Sequence, residues 1–148
     1  MAFIPKDAEW YVAEIVEEIT VEADPRNVVH RNLVLINAHS PDQAYTRAVE
    51  VGREGETEYK NPAGKNVVMK FRGLAALSVV HDTLEHGAEL RYSEDIGVSE
   101  AKIAELVKAK EQLSAFRDIE QSSGPDYACK EIVDEALQIM AEDDREQN

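Results

Sequence analysis

The sequence predicts an α+β fold: an antiparallel sheet with helices on one face and an added C-terminal helix. Three observations predict it. Residues 9–22 and 28–38 alternate apolar and polar side chains, the period-of-two pattern of strands. Residues 40–52 carry apolar side chains at helical spacing behind a helix-start signal. Short β-like runs punctuated by Gly and Pro come next, and then two helical stretches. A sheet covered on one face explains both the alternation of the strands and the single apolar stripe of the first helix.

In the first run, Tyr11, Ala13, Ile15, Ile19 and Val21 point one way, interrupted by Glu17, and Trp10, Val12, Glu14, Val16 and Glu18 point the other. Asp24-Pro25-Arg26-Asn27 has turn chemistry, because proline fixes φ and Asp and Asn bond their own backbone. In the second run Val29, Leu33 and Leu35 share one face, and Val34, Ile36 and Ala38 the other. A hairpin is the simplest pairing of the two. Ser40 then caps a helix with Pro41 at its first position, Asp42 against the dipole and Gln43 closing a capping box. Ala44, Ala48 and Val51 form the inward stripe, and Gly52 is placed to end the helix.

Residues 56–60 read as a short strand, Asn61-Pro62-Ala63-Gly64 as a turn, and residues 67–72 as a strand that Gly73 breaks as a bulge or bend would. Leu77 to His81 is expected to pair with Glu89 to Tyr92 through a connection containing His86-Gly87. Ser99 should cap a helix over residues 100–112 that buries Ile103, Leu106 and Val107. A linker at residues 121–125 leads to an amphipathic helix over 126–142, with Cys129, Ile132, Val133, Ala136, Leu137 and Met140 on one side. These features divide the chain into a core domain at 1–116 and an acidic linker with its helix at 117–148.

The 148 residues are 43% hydrophobic and 31% charged, a globular composition. A formal charge of -14 repels phosphate backbones and anionic lipid, so neither nucleic acid nor a membrane is an expected partner. It suits a basic protein partner instead. The acids are unevenly spread: residues 111–148 hold 11 acids and 3 bases. The single Cys129 excludes an intrachain disulfide and points to a reducing, cytoplasmic setting. No run approaches the length of a membrane helix, and the N-terminus lacks the apolar stretch of a signal peptide.

Four separated strings, Trp10-Tyr11-Val12-Ala13, Ser40-Pro41-Asp42-Gln43-Ala44, Phe71-Arg72-Gly73-Leu74 and Gly87-Ala88-Glu89, occur in this order. Together they resemble a bacterial family, a domain of unknown function with the pattern W-Y-x-A, S-x-x-x-A, F-x-G-L and G-A-E, over about residues 9–116. The resemblance implies a ββα unit followed by further antiparallel strands. It implies no reaction and no cofactor.

No phosphate loop, nucleophile elbow or C-x-x-C pair is present. His81, His86 and Glu89 form the densest group of possible metal ligands, although their spacing lacks the helical frame of the known zinc motifs. Trp10 and Tyr11, adjacent on a strand and so on opposite faces, are of the types that anchor interfaces. His30, on the second strand, and Arg72 complete the candidate binding residues. Glu14, Glu18 and Glu89 read as a solvated carboxylate face, and Cys129 as a small buried hydrophobe. The expected function is a non-catalytic, acidic protein-interaction module that neutralises or regulates a basic partner, in the manner of an immunity protein. Self-association through residues 126–142 is a second form of the same idea. The alternative is a metal protein or enzyme using the His81–Glu89 segment.

Overall fold

A computed structural model describes residues 7–117 and 123–147. Strands β1 (Trp10–Val21) and β2 (Val28–Asn37) form the expected hairpin, α1 (Pro41–Glu54) follows, and β3 (Thr57–Lys60) and β4 (Asn66–Val79) complete an antiparallel sheet of order β2-β1-β4-β3. Strand β1 is therefore central and pairs on both sides, whereas β2 and β3 are edges. The fold is α+β, as the sequence predicts.

The alternation in β1 sorts its side chains. Tyr11, Ala13 and Ile15 pack with Ile36 and Ala38 beneath Ala44 and Ala48 of α1. Small alanines let the helix axis come close to the sheet. Farther along the same face, Ile19, Val21 and Val67 make a second cluster. Full burial of Ile19 and Val67 contributes about 1.5–3 kcal/mol each. Glu17 lies between Ile15 and Ile19 on this face, so it marks the gap between the two clusters.

The start of α1 is built as its sequence implies. Ser40 Oγ accepts from the Gln43 amide at 3.1 Å. The Gln43 side chain reaches back one residue beyond the cap, where its Oε1 accepts from the His39 N–H at 2.7 Å. The end differs from expectation. Gly52 does not stop the helix, which runs on to Glu54 and is capped by Gly55. Gly52 is instead a packing residue: a Cβ there would lie 2.4 Å from the Phe71 ring of β4.

Strand β4 is longer than expected. Leu77 and Val79 do not begin a new hairpin; they continue β4 and pair with Ala13 and Tyr11. Two register irregularities, between Glu14 and Ile15 and between Val16 and Glu17 of β1, absorb extra residues beside Gly73, whose φ is 140°. With β1 able to pair over its whole length, no separate strand is needed, and Glu89 to Tyr92 carry no strand. Gly87 does take the left-handed φ its turn requires, 85°.

Two compact units partition the chain: Met1–Arg91 with Gly124–Asn148, and Tyr92–Ser123. In the second unit, Ser99 caps α2 as expected, accepting from the Lys102 amide at 3.3 Å, but α2 spans only Glu100–Leu106. Two 3-10 turns follow, at Lys110–Gln112 and Ser114–Phe116. Ile103, Leu106 and Val107 are exposed rather than buried. A helix this short gains little unless an apolar face is covered, and this one buries none of its residues. The last helix, α3 (Lys130–Glu146), starts four residues later than expected because the preceding residues are used elsewhere. Cys129 stands just before it, half-buried, as a free thiol.

Two substitutions probe these packing claims. Gly52→Ala should cost a net of roughly 1–2 kcal/mol in chemical denaturation, because overpacking against Phe71 outweighs the gain in helix propensity. Ala23, in the β1–β2 turn, holds φ at 66°. Ala23→Gly should raise stability by about 0.5–1 kcal/mol, since relief of the left-handed strain exceeds the added chain entropy of glycine.

Candidate functional site

The sheet face opposite α1 carries the most organised polar group of the first unit. Glu14 projects there from β1 and is only 7% exposed. Its two oxygens are divided between two arginines: Arg31 Nε of β2 lies 2.7 Å from Oε1, and Arg91 Nη1 lies 3.3 Å from Oε2. Desolvation by burial pushes the carboxyl up, but the hydrogen bonds and charges of Arg31 and Arg91 together outweigh it and hold Glu14 below its ordinary value. Glu14 is thus a clamped ion and not a member of a solvated face. The clamp ties the residues after β4 to the sheet through Arg91. Beside it, Arg72 lies 3.9 Å from Glu18, which also accepts from Asn27 Nδ2 at 2.7 Å.

Along edge strand β2 the same face is open. Leu33 sits opposite Glu14, Leu35 opposite Val12, and Val29 opposite Glu18. Leu33 is 60% exposed, and Val29 and Leu35 are also exposed. Arg31 interrupts this apolar row at mid-length.

On the α1 side, Pro125 to Tyr127 form a strap over the second core cluster. Pro125 is buried. Buried Asn61 organises both its own turn and the strap: its Oδ1 accepts from the Ala63 and Lys65 amides at 3.0 and 2.9 Å, and its Nδ2 donates to the Asp126 carbonyl at 3.1 Å. Tyr59 donates its hydroxyl hydrogen to the Tyr127 carbonyl. Burial first, and then the neighbouring Cys129, Tyr127, Glu17 and Asp126, push the Tyr59 phenol up and keep that donor protonated. The Tyr127 ring meets His30 edge to face, with centroids 5.5 Å apart. Near this strap Glu17 Oε2 accepts from Asn32 Nδ2 at 3.3 Å, while its buried Oε1 meets no donor among the described residues.

Residues 10–93 match the family described as "Domain of unknown function (DUF4288)". The chain belongs to that family. No curated protein and no solved structure matches it. The DUF4288 match ends close to Arg91, where the first compact unit also breaks, so it encloses the sheet, α1 and the arginine clamp. Residues 94–116, which the sequence resemblance includes, lie beyond the match, as do the strap and α3.

Within the DUF4288 domain the sequence candidates do not form one constellation. Tyr11 is buried beneath α1 with no partner for its hydroxyl among the described residues. Trp10 is half-buried and lines a cleft of about 330 Å³ with residues 7–9 and 80–84. His30 faces the strap, and the Arg72 guanidinium lies on the opposite face beside Glu18. His81, His86 and Glu89 lie in the irregular stretch after β4. Among the described residues no group of three or more His, Cys, Asp or Glu side chains is placed to hold a metal ion. The Glu89 amide is engaged with Asp82 Oδ2 at 2.9 Å. Sequence reasoning missed the importance of Glu14. One signal was available: a carboxylate between Val12 and Val16 on one strand face needs a cationic partner if that face is covered.

Asp24 provides a second depressed carboxyl. The side chain of Arg26, and then its backbone N–H, hold it at about 2. Groups depressed in the folded state stabilise it fully above their unfolded values and lose that contribution as the pH falls through their folded values. Stability measured by denaturation should therefore decline as the pH drops below the ordinary glutamate value of 4.5 and continue falling toward about 2. Glu14→Gln should be less stable at neutral pH and show a shallower acid decline. An unchanged acid profile would contradict the role given to the clamp.

Proposed function

We propose that this protein is a non-catalytic interaction module that presents α3 to a basic partner protein. The observation that carries the reading is α3 itself, 17 residues long with none buried. Ile132, Leu137 and Met140 are 66%, 60% and 62% exposed, although helical spacing gathers them into one stripe. Helices in soluble proteins draw most of their stability from covering such a stripe. Seven acids and two bases accompany it in the same segment. An acidic amphipathic helix fits an apolar groove edged with Lys and Arg. Charge of this sign attracts a basic partner from a distance and speeds association.

The strap supports the same reading, because it fixes the origin of α3 on the rigid sheet and lowers the ordering cost of docking. Neutralisation of a basic partner, in the manner of an immunity protein, is its concrete form. The lone cysteine is in keeping with a reducing cytoplasmic setting. Among the described residues no helix is long and apolar enough to cross a membrane.

Affinity capture from the native host at low salt should retain a basic protein on the wild-type chain. Met140→Lys should weaken that retention tenfold or more, since burial of one such side chain is worth about 1.5–3 kcal/mol and each 1.4 kcal/mol is tenfold. Retention that ignores both this substitution and added salt would refute the proposal.

A further inference from the structure

We infer that the open face of β2 is covered by α3 of a second copy, exchanged reciprocally. This goes beyond the interaction-module reading while sharing its premise that α3 is a docking helix; a basic partner reaches the α3 stripe only when the dimer dissociates. The two surfaces are complementary in chemistry. Val29, Leu33 and Leu35 give an exposed apolar row, with Arg31 within it and Lys70 and Arg72 exposed on β4. The side-chain row from Val29 to Leu35 spans ~20 Å at strand rise, and the apolar stripe of α3 from Ile132 to Met140 covers ~12 Å of it at helical rise. Helical geometry sets Glu135 and Glu142 along one border of the α3 stripe, the border that can face Lys70 and Arg72 of β4 across β1.

The tether excludes the intramolecular version. Tyr127 is pinned to His30 and Tyr59 on the α1 side of the sheet. Only Ala128 and Cys129 separate it from the first residue of α3, a reach of at most ~11 Å over three residue steps. Passing around the β2 edge to the opposite face needs more chain than that. A second copy has no such restriction. Exchange in both directions closes a two-fold dimer in which each β2 face and each α3 stripe is covered once.

The charge of -14 per chain opposes dimerisation at long range. At physiological salt, interactions beyond ~8 Å are largely screened, whereas contacts across an interface are not. Local complementarity therefore decides the outcome. Glu14, which belongs to this face, is already neutralised by Arg31 and Arg91.

Light scattering or sedimentation of the full chain reads the mass directly. Wild type should give twice 16.5 kDa. Leu33→Lys and Leu137→Lys should each give the monomer mass. An equimolar mixture of the two variants should regain dimer mass, because one supplies an intact helix and the other an intact sheet face. Thermal melts confirm that each variant is folded, and Val29→Lys replaces Leu33→Lys if the latter is not. A wild-type chain that stays monomeric up to about 1 mM, the range of weak association, overturns the exchange. So does a Leu33→Lys chain that remains a dimer, which would mean that α3 pairs with α3. Leu33→Lys keeps α3 intact, so its capture of a basic partner reports separately on the interaction-module reading.

Discussion

Double-sided pairing of β1 is the constraint on which the molecule depends. Its twelve residues are hydrogen-bonded to β2 along one side and to β4 along the other. A strand in that position must present every second side chain to each face. Tyr11, Ala13, Ile15 and Ile19 consequently define where α1 and the strap settle, and Val12, Glu14 and Val16 define the opposite surface. The bulges in β4 follow from the same constraint, since they adjust its register to β1 without breaking the ladder.

Glu14 shows how one polar residue in an apolar register can organise a surface. A buried carboxylate is costly unless it is paired and hydrogen-bonded. Here two arginines from different parts of the chain, β2 and the stretch after β4, meet that need. The outcome is local order in a segment that has neither helix nor strand. Asn61 plays the corresponding part on the other side: one amide satisfies the turn before β4 and holds the strap.

Local signals made much of this architecture legible. The alternation in residues 9–22 and 28–38, the Ser40-Pro41 helix start and the Asn61 to Gly64 turn each carry their information within a few residues. Misplaced elements were those decided by distant partners. Gly52 looks like a helix stop until Phe71 is placed beside it. Leu77 to Val79 look like a new strand until β1 is seen to extend far enough to pair them. Residues 103–107 have a helical stripe but no cover for it. The candidate site divides in the same way: the apolar row of β2 follows from periodicity, whereas the Glu14 clamp needed Arg91, far away in sequence, to become visible.

Arg31 has a consequence beyond holding Glu14. An edge strand bearing alternate aliphatic side chains is a template for uncontrolled strand addition, and nature commonly blunts such edges with charge. The guanidinium stands midway along that row, held at 2.7 Å by a buried carboxylate. The ion pair that steadies the sheet thereby also serves as a gatekeeper for solubility, keeping stray chains from zipping onto β2.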